Sequence, residues 1–387
     1  MHFSSRLPAF GSPNPLSLEL AKRRAKGEAV LDLTLSNPTQ AGFDFPDEAI
    51  RAALGSAESL IYSPDARGSL AAREAIASHH GHGLRPEDLL LTASTSESYG
   101  LLFKVLGDPG DSVLVPSPSY PLFEWLARLE GLRAVPVPTW FHDRWCLDFE
   151  TLEKSCDERT RAVCLVNPNN PTGQFISRNE WRELTSLCAR KGLSLIVDEV
   201  FSDFPLEPET DDLPTALEDT YPPCPVFLLS GLSKAALLPQ VKLGWIAARG
   251  PGSEAALEAL EFAADQYLSV SAMAQSAAPS LLAQAHALRT QVRARALQNL
   301  QSLDAWLQFN GSCSRLRVGG GWSVLIRTPA KTGEDLALRL LGEAGVLVHP
   351  GYYFDLPGEG YLVLSLLTRP EDFSTGLESL SQALGNR

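Results

Sequence analysis

Two segments of the chain carry side chains suited to chemistry. The first, SLIVDEV, ends an apolar run on the carboxylate Asp198, and the second, LLSGLSKAALLPQVKLGW, places the amine of Lys234 after a Gly/Ser turn with a further cation at Lys242. Sheets with parallel strands collect ligands at the carboxyl ends of those strands, where both groups would stand. Taken singly, a lysine by a turn is usually solvated, and an aspartate at a strand end is often only a helix cap. The turn NPNNPTG, from Asn167 to Gly173, makes those bland readings of the pair hard to hold. Ser94, Thr95 and Ser96, between LLLT and a helix beginning near Glu97, offer backbone N–H groups and hydroxyls to a phosphate. Read alone, TASTSES is equally an N-cap cluster.

Other chemistries fail on spacing. Gly319-Gly320-Gly321 lacks the strand and following helix of a dinucleotide fingerprint, and no G-x-x-x-x-G-K-[ST] occurs. SGLSK is not an S-x-x-K nucleophile, because Gly231 stands three before Lys234. His79, His80 and His82 suggest metal, but at the end of a helical pattern they read as solvated residues favoured by the helix dipole. The six cysteines form no C-x-x-C and have no histidine at metal spacing, so they read as reduced thiols.

These residues need a frame. From about Glu87 to Ala247, LLLT, SVLV, AVCLV, SLIVD, VFLLS and GWIAA alternate with amphipathic stretches, which predicts a mostly parallel sheet flanked by helices. After Pro251 an Ala/Leu/Gln/Arg-rich pattern predicts a helix over about 280–307, preceded by a hinge near Ala274 to Ala278. GGGWSVLIR, EDLALRLLGEAG and YLVLSLL then read as a smaller α+β unit. The Pro-rich start to about Pro15 is expected to be an arm that orders against a neighbour.

The chain resembles the class I/II aminotransferases, pyridoxal phosphate (PLP) enzymes of fold type I. LTLSNPTQAGFDFP, YSPDARG, TASTSES, PSPSYP, NPNNPTG, VDEVF, SGLSK, KLGW and HPGYYF fall in the family's order. The resemblance implies residues 1–45 as an N-terminal arm and part of a small domain, 46–272 as a large PLP-binding domain, and 273–387 as an interdomain helix and C-terminal small domain. It gives Lys234 the Schiff base and the proton transfer, Asp198 the pyridine nitrogen, Asn170 the ring oxygen and Tyr120 the ring face. Ser94, Thr95, Ser96, Ser233 and Lys242 would serve the phosphate, and Tyr62 the phosphate of a neighbouring subunit, which implies a homodimer with shared sites. Tyr267 and Gln275 are expected near that shared site. Ser36, Asn170, Tyr352, Tyr353 and Phe354 would face the substrates, an amino donor and a keto acceptor. The same electron sink also serves C–S β-lyases and decarboxylases, and a PLP-binding protein without activity is a further alternative.

Three departures from the family pattern stand out. Phe201 occupies a position where a tyrosine would donate to the ring oxygen, and Lys242 replaces an arginine, keeping the charge without the bidentate fork. Val363, in GYLVLS, replaces the arginine that binds the substrate carboxylate, and Leu362 or Leu364 in a shifted register restores no cation. A buried charge left without its partner costs about 2–5 kcal/mol. Arg369 and Arg6 are the candidates for a relocated clamp; otherwise the donor's amine is not α to a carboxylate.

Composition agrees with a small-molecule enzyme. The 387 residues include 33 Lys+Arg and 46 Asp+Glu, for a net charge of −13. That balance argues against nucleic acid or an anionic membrane as the main partner. With no signal-peptide core at the start and no long apolar run, the expected location is cytoplasmic.

Overall fold

The computed structural model describes residues 2–8, 13–356, 358 and 360–385. A short strand, β1 (Leu31–Asp32), precedes the main series β2 (Leu89–Thr92), β3 (Ser112–Ser117), β4 (Arg133–His142), β5 (Arg144–Leu147), β6 (Thr160–Val166), β7 (Ser194–Asp198), β8 (Val226–Gly231) and β9 (Gly244–Arg249). These eight form one sheet in the order β2-β9-β8-β7-β6-β3-β4-β5. The inner pairs β4/β3, β3/β6, β6/β7 and β7/β8 are parallel, while β9 runs antiparallel to both β8 and β2.

The inner strands β6, β7 and β8 are largely apolar because each face has its own core. Leu195, Val197, Val226, Leu228 and Trp245 point into one core, and Ile196, Phe227, Leu229 and Ile246 into the other. That is the two-residue period of a strand covered on both sides. The six apolar runs all became strands. β4 and β5 were not foreseen, because Pro136 and Pro138 interrupt the β4 segment and proline cannot donate to a ladder on both sides.

A 38-residue helix, Ala272–Phe309, then spans about 57 Å at 1.5 Å per residue. It runs unbroken through the expected hinge, with Pro279 inside it. The reason is burial. Ala274, Ala277, Ala278, Leu281, Leu282 and Ala285 pack into the large core, Leu288 and Val292 into a bridging cluster, and Ala296, Leu300 and Leu303 into the small one. Tertiary contacts along its length outweigh the proline's local penalty.

The small unit holds β10 (Ser314–Arg315), β11 (Ser323–Arg327), β12 (Val346–Leu347), β13 (His349–Pro350) and β14 (Tyr361–Ser365). Its sheet order is β10-β11-β14-β13, and β12 pairs in parallel with β1, so the N-terminal segment is sewn to the C-terminal one. In the arm, the Arg6 guanidinium donates to Leu129 O at 2.7 Å and Arg128 donates to Ser5 O at 2.8 Å. Positions 9–12 of that arm lie outside the described residues. Among the described residues no helix is long and apolar enough to cross a membrane.

Candidate active site

A cavity of about 370 Å³ opens at the carboxyl ends of β6, β7 and β8, roofed by the small unit. Asp198 is the last residue of β7 and is buried. Val200 N donates to its Oδ1 at 3.1 Å, and the Tyr99 hydroxyl donates to its Oδ2 at 3.3 Å. Desolvation nonetheless pushes its carboxyl up to about 6. Burial penalises the charged form more than these two bonds and the nearby Lys234 stabilise it.

Lys234 sits in the one-turn helix Leu232–Ala235 that follows β8. Its Nζ lies 5.2 Å from the centroid of the Trp322 ring and 5.7 Å from that of Phe201. The amine makes no hydrogen bond or ion pair with the described residues. Burial lowers its pKa from the usual lysine value, the nearby Asp198 opposing that shift. A desolvated amine with a lowered pKa has the lone pair that attack on a carbonyl needs.

The phosphate-side residues surround the start of the helix Thr95–Leu106. Ser94 is its N-cap and accepts from Glu97 N at 3.2 Å, while Thr95 and Ser96 line the cavity with Ser233. The hydroxyls of Thr95, Ser96 and Ser233 have no partner among the described residues. Gly244 of β9 lets the strand pass beneath this turn: a Cβ there would stand 2.9 Å from Ser94 C and 3.1 Å from Thr95 N. An array of unpaired N–H and O–H donors at a helix N-terminus fits a phosphate. Together with a free amine at Lys234 and a buried carboxylate at Asp198, these residues fit PLP.

Asn170, Tyr120, Phe201 and Ser36 also line the cavity. The Ser323 hydroxyl reaches Asn170 Oδ1 at 3.5 Å, and the Asn170 amide N–H groups have no acceptor among the described residues. Tyr120 is half-exposed and stands 6.4 Å from the Phe354 ring, and Phe201 packs edge-on against Trp322.

Lys242, Tyr352, Tyr353 and Arg369 do not line the cavity, and Tyr62 and Gln275, expected at a site shared with a neighbouring subunit, lie apart from it. Lys242 is exposed on a positive-φ turn and does not line the cavity. Tyr352 is turned outward, its hydroxyl donating to Glu334 at 3.0 Å, while its neighbour Phe354 faces in. Arg369 is exposed at the start of the helix Pro370–Ala383, its guanidinium over Gly42. Tyr62 and Gln275 line a separate cleft of about 570 Å³.

The cavity also holds residues to which the motifs gave no role: Thr34, Tyr99, Trp322, Ser323 and His349, of which Thr34 lies in LTLSNPTQAGFDFP and His349 in HPGYYF. Trp322 and Ser323 follow the glycine triplet. Gly320 N donates to Gly173 O at 2.9 Å, and a Cβ on Gly320 would meet the Phe175 ring at 2.8 Å. The triplet therefore seats the small unit against NPNNPTG. Its glycines serve close approach, which was the available signal.

Two of the three histidines correct a further expectation, while His82 is exposed, as expected. His80 is buried and accepts from Trp245 Nε1 at 2.9 Å, and desolvation, aided by His79, lowers its pKa to about 3. His79 lies 3.4 Å from Asp203. Both are packed beneath the long helix rather than solvated. No cluster of metal-binding side chains occurs among the described residues. All six cysteines are free.

Next to Asp198, Glu199 is buried outside the cavity. Its Oε1 accepts from Ala216 N at 2.6 Å, its Oε2 has no partner, and desolvation pushes the carboxyl up to about 8. The folded state thus binds this proton more tightly than the unfolded chain, whose carboxyl titrates near 4.5. Its stabilisation is complete below that value and is lost as pH rises through about 8, with a total of a few kcal/mol. Glu199→Gln should therefore melt above the wild type at pH 9 and close to it at pH 5. Parallel melting curves across that range would exclude this titration.

The fold and the site define an α/β enzyme of PLP fold type I, with a large mixed sheet flanked by helices. Over its whole length the chain superposes on an alanine aminotransferase from Pyrococcus furiosus, with a TM-score of 0.86, 25% identity and 100% of both chains covered. Residues 28–372 match the family model for aminotransferase class I and II, and the chain belongs to that family. It is 28% identical to the alanine aminotransferase of Mycobacterium tuberculosis over 389 residues, covering 96% of this chain and 89% of the relative. A 31% identity over 214 residues links it to the S-alkyl-thiohydroximate lyase of Arabidopsis thaliana, covering 53% and 44% of the two chains. The protein is a PLP-dependent aminotransferase.

Proposed function

We propose that the chain moves an amino group between an amino donor and a keto acid at the cavity that holds Lys234. The observation that carries this reading is an unpaired, desolvated lysine amine facing a buried aspartate at the ends of parallel strands. When bound, PLP supplies an aldehyde for amine exchange and a ring that accepts electrons from the donor's carbon.

The protein's own groups divide the remaining work. Lys234 holds the cofactor and, once released, carries the proton to and from the donor's amine-bearing carbon. Such placed proton transfer contributes about 10²–10⁴-fold. Asp198 pairs with the ring nitrogen, Asn170 donates to the ring oxygen, and Tyr120 covers a ring face. Phe201 in place of a tyrosine leaves that oxygen one donor fewer. Thr95, Ser96 and Ser233 take the phosphate, with Ser94 fixing the turn and Lys242 adding positive charge from outside the lining. Ser36, an exposed residue of the lining, would face the donor. Tyr352 and Arg369 receive no role from their positions.

We also propose a homodimer with the second cleft at its interface. Ile61 and Tyr62 line that cleft and are exposed, and Leu60, Tyr267 and Met273, next to lining residues in the chain, are exposed as well, apolar side chains that a monomer would leave in water. The six free thiols favour the cytoplasm as the compartment.

The test follows cofactor and products together. Holoenzyme mixed with a panel of amino acids and amines should convert its cofactor stoichiometrically to the aminated form, and a keto acid should reverse this. Catalytic release of ammonia with a keto acid from a single substrate would overturn transamination in favour of elimination.

A further inference from the structure

Among the described residues Lys234 is the single lysine or arginine lining the cavity, and the aminotransferase reading, on which this inference rests, commits it to the cofactor. That leaves His349 as the basic group available to a donor. His349 lies directly opposite Val363 in the β13/β14 ladder, and both line the cavity. Residues facing each other across an antiparallel pair project to the same side, so the imidazole stands beside the apolar floor that Val363 and Leu364 form. It makes no hydrogen bond or ion pair with the described residues. Tyr353 and Phe354 hold the ring in place, with centroids at 5.6 and 5.8 Å.

We propose that His349 is the specificity-determining residue for the donor, binding its carboxylate through a proton that the imidazole takes up as the acid binds. The donor class this selects is an amino acid whose side chain is apolar, since the walls beyond His349 are Leu122, Phe123, Val363 and Phe354.

Charge at this position is adjustable. Desolvation lowers the imidazole's pKa, and Asp32 on β1 opposes that shift. Tyr353 is the other titratable side chain against the ring, and Lys234 and Asp198 stand elsewhere in the same cavity. An incoming carboxylate adds a second anion and favours the imidazolium. Acid binding should therefore tighten as pH falls. A permanent guanidinium would give no such dependence.

The experiment uses holoenzyme and two unreactive probes of one shape, 3-phenylpropionate and its amide, with binding measured by calorimetry at pH 6 and pH 8.5. The acid should bind about tenfold more tightly than the amide at pH 6 and lose most of that advantage at pH 8.5. His349→Phe should bind both probes alike at both pH values while keeping the cofactor's absorbance. Adding Val363→Arg to that variant should restore the preference for the acid and make it flat with pH. Equal binding of acid and amide by the wild type would overturn the proposal, as would an acid preference that survives in His349→Phe. Cofactor occupancy is read first, by absorbance. A protein that binds no PLP overturns the aminotransferase reading, whereas a loaded protein without acid preference overturns the role of His349 alone.

Discussion

Lys234→Ala is expected to lose covalent cofactor attachment and to lower turnover by about 10³-fold or more, within the range that positioned proton transfer supplies. The loss should be chemical rather than structural. Lys234 has no hydrogen bond or ion pair among the described residues, and what it touches are the faces of Trp322 and Phe201. Removing a buried, desolvated amine relieves a cost, so the melting temperature of the variant without cofactor should stay within a few degrees of the wild type or rise. Borohydride reduction followed by peptide mass analysis gives the decisive readout. The wild type should carry the cofactor's mass on the Lys234 peptide and the variant none. A small primary amine added to the variant should recover part of the proton transfer, because the site keeps its other groups. An adduct on any other lysine, or unchanged turnover in Lys234→Ala, would remove the basis of the site.

How much of this was legible beforehand depended on how far apart in the chain the cooperating residues lie. The inner strands announced themselves because burial on both faces leaves runs such as AVCLV and VFLLS almost wholly apolar. Asp198, Asn170 and Lys234 were legible because each follows an inner strand by at most a few residues and carries a distinctive neighbour sequence. His349, Trp322 and Tyr99 were not. Each reaches the cavity through tertiary packing: His349 by its pairing with β14, Trp322 by the glycine seat against Gly173, and Tyr99 by the helix that leaves β2. Tyr99 in particular reads as an ordinary core residue, being fully buried against Phe103 and Phe123, and its hydroxyl alone betrays a second duty. The long helix was underestimated for the same reason. Local rules stop at Pro279, whereas the three cores that the helix crosses are assembled from segments more than 200 residues apart.

The two units also explain why a chain of net charge −13 can hold an anionic cofactor and an acidic donor. Carboxylates elsewhere set the total, whereas among the described residues the cavity lining carries one lysine, one histidine and one aspartate and no other Lys, Arg, His, Asp or Glu. In the proposed site the phosphate end would rest mainly on backbone and hydroxyl donors, which cost less to desolvate than fixed charges do, leaving Lys234 for the chemistry proposed for it.

Asp198→Asn should separate function from stability in opposite directions. A buried carboxylate whose pKa is raised to about 6 is held at a cost above that pH. Because the folded value exceeds the unfolded one near 3.8, stability is full at low pH and declines as pH rises through 6. In the absence of cofactor, Asp198→Asn should therefore melt above the wild type at pH 8 and show little difference at pH 4. With cofactor the order should reverse. The variant keeps the Oδ1 acceptor for Val200 N and can keep the Tyr99 contact, but it loses the negative charge proposed to face the ring nitrogen, and turnover should fall by about 10²–10³-fold, the usual loss when one placed electrostatic contact is removed. Cofactor affinity should fall as well. Tyr99→Phe supplies the graded case: it removes one donor from the carboxylate, should raise the Asp198 pKa further, and should shift the acid limb of the turnover profile upward without abolishing activity. If Asp198→Asn instead destabilises the cofactor-free protein at pH 8 and leaves turnover intact, the carboxylate is a structural cap for the Val200 turn and the functional role assigned to it is wrong.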